Sequence, residues 1–270
     1  MSAAGPRPAG LAPALHHVRD GGAGPPLVLL AGIGMDGSAW SPVLEWLTSE
    51  REVWRVDLPG FGGSAAITGE PPGIGALAGA VERFLVGAGL DRAHVAGNSL
   101  GGAVALELAR RGGVASATAL SPVGFWSRPE AAFARASLLA TYAVAARLHR
   151  HAPTLLRRPR LRRLLYGQVY ARADRLTPGA AYGSMCVLLE GRGFHATLSA
   201  FHRHRVTGPL AAPATIAWGT RDALLLPTGA LRARRELPEA RHVWLRGCGH
   251  VPMCDDPAQV ARVLLEGSRG

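Results

Sequence analysis

Hydrophobic positions along the chain follow two rhythms. Leu27-Val28-Leu29-Leu30-Ala31 is a continuous apolar run ending at Gly32. It is short enough to be a strand buried on both faces of a parallel sheet. Residues 52–58 alternate Val53, Arg55 and Asp57 with Trp54, Val56 and Leu58, then enter the turn-rich loop Pro59-Gly60-Phe61-Gly62-Gly63. Further strands are predicted over 91–97, 114–120, 214–218 and 241–245, with a short one near 15–19 behind a polar Gly/Pro lead-in. The second rhythm is helical: Leu77, Val81, Phe84 and Leu85 recur at three- and four-residue steps within 75–89. Helices are also predicted over 40–49, 100–111, 231–237 and 257–265. Strands alternating with helices predict the α/β class, a mostly parallel central sheet flanked by helices.

Residues 123–208 break this alternation. They are mostly helical in pattern, with prolines at 129, 153, 159 and 178, and the strands resume only at Ala214. Residues 1–122 and 209–270 therefore form one core, and 123–208 an inserted helical block. Charge marks the same block. The formal net charge is +11, and all 30 basic residues are arginine. The block holds 14 arginines against three acids (Glu130, Asp174, Glu190), while the rest of the chain balances 16 arginines with 16 acids. Codon composition accounts for arginine over lysine but not for acids avoiding one segment. A local positive field suits an anionic substrate, an acidic carrier protein or an anionic membrane surface. No motif supports nucleic-acid recognition.

The remaining composition narrows the class. At 48% hydrophobic and 18% charged, the 270 residues can bury a sizeable core, which argues against disorder. No run of about 18 apolar residues predicts a membrane span, and the first twenty residues carry no apolar stretch of the secretory kind. Cys186, Cys248 and Cys254 are too few and too uneven for a disulfide framework, which predicts a cytoplasmic, reducing location.

The chemistry concentrates at predicted strand ends. Gly97-Asn98-Ser99-Leu100-Gly101 lies between a strand and a helix. A sharp turn there crowds the backbone, so small residues must flank the centre, and the Ser99 hydroxyl is raised at a helix N-terminus. Serine is a weak nucleophile at neutral pH and needs a base, which in turn needs an orienting carboxylate. Trp218-Gly219-Thr220-Arg221-Asp222 and Gly247-Cys248-Gly249-His250 supply both, each just past a strand. The strand before the insertion ends in Leu120-Ser121-Pro122-Val123, with no competing acid. Gly32-Ile33-Gly34 follows the first buried strand, and its Ile33 amide can join that of Leu100 as an oxyanion hole. Such a donor is worth roughly 3–4 kcal/mol in typical enzymes.

With these residues in view, the chain resembles the α/β-hydrolase fold superfamily over 15–268. The matching stretches are LLAGIG…W (29–40), DLPGFGGS (57–64), GNSLGG (97–102), WGTRD…P (218–227) and GHVPMCDDP (249–257). GNSLGG is similar to the motif of lid-bearing serine hydrolases, which include esterases, lactonases, peptidases and carbon–carbon bond hydrolases. The resemblance implies Ser99 as nucleophile, Asp222 as acid and His250 as base. It also implies Ile33 and Leu100 as oxyanion donors, and 123–208 as a cap over the pocket. Ala31-Gly32 stands where the family usually has His-Gly, which weakens loop support without removing a backbone donor. Serine at position 99 argues against dehalogenase and epoxide-hydrolase chemistry, which use aspartate.

The expected activity is hydrolysis of an ester, thioester or lactone through an acyl-enzyme, with no cofactor and no metal. Carbon–carbon hydrolysis of a β-diketone-type substrate, and non-hydrolytic acyl transfer or cyclisation, use the same residues. A binding module with a degenerate triad is a further class, against which the intact triad speaks. Gly32, Trp126 and Arg192 are substrate-binding candidates. Phe125, Tyr142, Tyr182, Met185 and Phe194 either line a pocket or pack the insertion. His195, His202 and His204 are expected on an exposed face. Asp57 is expected to fix its turn, and Asp255 and Asp256 to cap the last helix. Cys248, His250 and Cys254 lack a fourth ligand at zinc spacing.

Overall fold

A computed structural model describes residues 15–68, 72–201 and 204–269. Its sheet has seven strands: β1 (His17–Gly21), β2 (Pro26–Leu30), β3 (Glu52–Val56), β4 (His94–Asn98), β5 (Ser116–Leu120), β6 (Ala214–Gly219) and β7 (Arg241–Leu245). Their spatial order is β1-β3-β2-β4-β5-β6-β7. Only β1 runs antiparallel to its neighbour; the other five pairings are parallel. Every residue of β4 and β5 is buried, as expected of central strands covered on both faces.

The helices are α1 (Leu44–Leu47), α2 (Ile74–Gly87), α3 (Leu100–Arg111), α4 (Arg128–Leu148), α5 (Ala152–Leu155), α6 (Pro159–Tyr166), α7 (Pro178–Glu190), α8 (Phe194–Phe201), α9 (Thr228–Glu236) and α10 (Pro257–Gly267). Their ends follow ordinary capping rules. Gly112 closes α3 in the left-handed region at φ +79°. Ser127 and Glu130 form a reciprocal capping box at the start of α4. Helices α4 to α8 all lie between β5 and β6 in the chain, although those two strands are neighbours in the sheet. Among the described residues no helix is long and apolar enough to cross a membrane.

Several boundaries differ from the sequence expectation, four of them instructively. The helix predicted over 40–49 is instead a 3-10 helix, Gly37–Val43, followed by the single turn α1. Pro42 inside it has no N–H to donate, and Asp36 caps the tighter turn through Ser38 N at 3.0 Å. β4 starts at His94 because Arg92 sits in a turn at φ +63°. β5 starts at Ser116. α9 starts at Thr228, directly after Pro227.

Candidate active site

The β4–α3 junction puts Ser99 at φ +56°, ψ −112°, a conformation that costs a non-glycine residue energy. Three backbone hydrogen bonds hold it there. Ser99 N donates to Leu120 O (2.9 Å), and Ser99 O accepts from Ala103 N (3.1 Å) and Val123 N (3.2 Å). The flanking glycines are a steric necessity. A Cβ at Gly97 would lie 2.1 Å from Gly101 O, and one at Gly101 would lie 2.3 Å from Leu30 O. The Ser99 hydroxyl makes no hydrogen bond among the described residues.

Asp222 and His250 come together as a buried pair, with His250 Nδ1 2.8 Å from Asp222 Oδ2. The other carboxylate oxygen, Oδ1, accepts from Leu224 N (3.0 Å) and Leu225 N (2.8 Å). One oxygen is thus fixed by backbone and the other is free to face the imidazole. The loops after β6 and β7 interlock around them. Arg221 N donates to Cys248 O (2.9 Å), and a Cβ at Gly219 would lie 2.2 Å from Gly249 O.

Asn98 joins this pair to the serine turn. Its side-chain Nδ2 donates to His250 O (2.9 Å) and to Leu120 O (3.1 Å), and it is fully buried. No role for Asn98 is expected from the sequence, although a polar amide at the buried end of a strand, next to Ser99, is the signal that marks it.

On the other side of Ser99, a Cβ at Gly32 would stand 3.4 Å from the Ser99 Cβ, so the loop after β2 lies directly against the serine. The amides of Ile33 and Leu100 donate to no backbone or side-chain acceptor among the described residues. Gly34 turns at φ +69°, and a Cβ there would meet Leu188 Cδ1 at 2.5 Å. The inserted segment therefore packs onto this loop.

The remaining candidates are placed as follows. Trp126 is buried in the main core and lines a small crevice with Phe125 and Trp218. Arg192 is exposed, between α7 and α8. Phe125 packs on Trp218, Tyr142 stacks on Phe194 at 5.0 Å, and Tyr182 stacks on His149. Met185 lines a cavity of about 290 Å³. His195 is exposed as expected, but His204 is half-buried, and burial lowers its basicity. His202 lies outside the described residues. Asp57 does fix its turn: its carboxylate accepts from Gly37 N (2.8 Å) and Gly63 N (3.0 Å) and contacts His16 Nδ1 (2.7 Å). Burial pushes the Cys248 thiol up to about 12.

Asp255 corrects an expectation. Asp256 alone caps α10, accepting from Gln259 N at 3.0 Å. Asp255 is 1% exposed and accepts from Gly249 N (2.7 Å), Ala171 N (3.1 Å) and Arg172 N (2.7 Å). It thereby ties the histidine loop to the inserted segment, and Val251 N reinforces the tie by donating to Val169 O at 2.9 Å.

A strained serine at a strand–helix turn, a carboxylate-backed histidine and a glycine loop share the carboxyl edge of one mostly parallel sheet. That edge is where doubly covered α/β proteins hold their chemistry. The chain belongs to the alpha/beta hydrolase family, whose model matches residues 27–263. Among curated relatives, it is 43% identical over 105 residues to a pimeloyl-[acyl-carrier protein] methyl ester esterase of Methylococcus capsulatus. That match spans 38% of this chain and 39% of the relative's length. Among solved structures, a membrane phospholipase A described as a bacterial virulence factor superposes with a TM-score of 0.70 at 26% identity. The superposition covers 95% of this chain and 87% of that one. An enol-lactonase from Burkholderia xenovorans LB400 superposes with a TM-score of 0.70 at 21% identity, over 93% and 95% of the two chains. At that identity it speaks for the fold alone.

Proposed function

We propose that this protein hydrolyses a carboxylic ester, thioester or lactone through a covalent acyl-enzyme. The observation that carries the reading is the buried His250–Asp222 pair, 2.8 Å apart, joined through Asn98 to the strained Ser99. With Nδ1 engaged by Asp222, Nε2 is the imidazole nitrogen left to act as the base toward Ser99. Ser99 Oγ attacks the carbonyl carbon while His250 takes its proton. The negative oxygen of the tetrahedral intermediate is held by the Ile33 and Leu100 amides. His250 then gives the proton to the leaving oxygen or sulfur, and the acyl group stays on Ser99. A water molecule, deprotonated by His250, releases the acid. The 123–208 segment acts as the cap over this site, and its Leu188 sits against the Gly34 turn.

The relatives named for ester hydrolysis support this reading of the carbonyl class. A substrate with an anionic portion, or one presented by an acidic carrier, also suits the arginine-rich cap. Labelling by a fluorophosphonate probe tests the nucleophile. Wild type is expected to be labelled, and Ser99→Ala not, with ester turnover lower by at least about 10⁴-fold. An unlabelled wild type, under conditions where a known serine hydrolase reacts, overturns the assignment. Turnover in oxygen-labelled water separates hydrolysis, which places the label in the acid, from transfer or cyclisation, which do not.

A further inference from the structure

We propose that the outer face of the α4–α6 region docks on an anionic lipid surface, and that the cavity opening in that face receives an acyl chain from it. The acyl-chain part rests on the acyl-hydrolase reading above; the docking part does not.

Charge is the first observation. Between Glu130 and Asp174 the chain carries nine arginines and no carboxylate. Arg147, Arg150, Arg157, Arg158 and Arg160 are exposed, and none has an acidic partner among the described residues; Arg163 pairs with Asp174. Some arginines elsewhere in the fold are neutralised, as in Arg55–Asp20 and Arg111–Glu107. A surface of unpaired arginines attracts negative charge within about a screening length.

The second observation separates lipid from an acidic protein. Leu164 is 77% exposed, Phe133 49% and Val144 43%, all on the elements that carry the arginines. Phe133, Ser137, Ala140 and Val144 recur at helical spacing along one stripe of α4. Arg147 continues the stripe one turn beyond Val144, and Arg160 lies one turn before Leu164 on α6. Large apolar side chains standing among cations are the pattern of a face that seats itself in the headgroup region. Charge attraction to an acidic protein does not require them.

The cavity is the third. About 290 Å³ opens between α4, α6 and α7, lined by apolar side chains including Val144, Leu164, Met185 and Leu188 and by polar ones including Ser137 and Gln168. Val144 and Leu164 stand at its exposed rim. Leu188, one of its lining residues, packs against Gly34, the residue next to the Ile33 amide. The cavity thus extends from the arginine-rich face to Leu188, one side chain away from the loop beside Ser99.

Co-sedimentation with vesicles tests the docking, using the full chain as Ser99→Ala so that no turnover intervenes. Vesicles of phosphatidylcholine are compared with vesicles containing about 30% phosphatidylglycerol. Binding is expected at least about tenfold stronger on the anionic vesicles and weaker with added salt. Combined Arg157→Glu, Arg158→Glu and Arg160→Glu should abolish that preference. Leu164→Ser should lower binding severalfold and leave the salt dependence unchanged. Fluorophosphonate labelling of the same surface variants, made with Ser99 intact, reports whether they fold. Should the charge reversal fail to fold, the milder Arg→Gln set must still weaken binding. No binding to anionic vesicles, equal binding to both vesicle types, or retention of binding by the folded arginine variants overturns the proposal. So does tighter binding of soluble polyglutamate than of vesicles, which assigns the face to an acidic protein. Vesicle binding without probe labelling of the Ser99 protein would sink the nucleophile assignment and leave the docking face standing.

Discussion

At Asp222 two backbone amides, from Leu224 and Leu225, fix one carboxylate oxygen so that the other meets His250 Nδ1. Asp222→Asn keeps the shape but offers the imidazole a donor or a weaker acceptor, favouring the wrong tautomer. Turnover of an ester substrate is expected to fall by about 10⁴-fold with little change in the melting temperature. A loss under tenfold in steady-state assays would remove Asp222 from the proposed role. Asp255 behaves differently, because its three amide partners belong to two distant parts of the chain. Asp255→Ala removes three hydrogen bonds to a carboxylate, from the buried Gly249 N and the part-buried Ala171 N and Arg172 N, each worth about 1–3 kcal/mol. Thermal unfolding should therefore drop by roughly 6 °C or more, and probe labelling of the folded protein should slow because Gly249 no longer holds the His250 loop. Ser99, Asp222 and His250 were legible in the sequence because each follows a recognisable strand end. The tie made by Asp255 was not, because Ala171 and Arg172 lie 84 and 83 residues away and no local pattern announces them.

Elements carry their own prediction at the join between α4 and α9. Burial alone would raise the Glu130 carboxyl, but hydrogen bonds from Arg232, Ser127 and Thr228 outweigh it and hold the group down at about 2. A carboxyl lowered on folding stabilises the protein above its ordinary range near 4.5, and that stabilisation is lost as pH falls from about 4.5 towards 2. The site is partly solvated, so its worth is on the order of 1 kcal/mol. Glu130→Gln should melt lower than wild type at neutral pH, and the gap should close in melts taken on the acid side. A gap that is constant between pH 6 and 2.5 would deny the ion pair its role. α3 and β7 match their sequence bounds because periodicity and turn residues agree there. The 40–49 region did not, since its apolar spacing is helical while the chain there takes a tighter 3-10 turn from Gly37, capped by Asp36 and interrupted by Pro42.

The uneven charge belongs to the whole molecule. If the proposed cap draws in anionic substrate, kcat/KM on a negatively charged ester should fall severalfold between about 10 and 150 mM ionic strength. Over that range the screening length shortens from about 30 to 8 Å. A neutral ester of the same acyl chain should show a flat response, and identical salt curves for both would assign the arginines no part in recruitment. By itself the sequence determined the α/β class and which residue types end the strands, because burial on two faces and tight turns leave local marks. Only the tertiary structure decided the strand order β1-β3-β2-β4-β5-β6-β7, the seat of Leu188 on Gly34, and the hold of Asn98 and Asp255 on the histidine loop. Those contacts join residues far apart in the chain. Their partners are chosen by packing and by the need to pair buried polar groups, neither of which is written in any short stretch of residues.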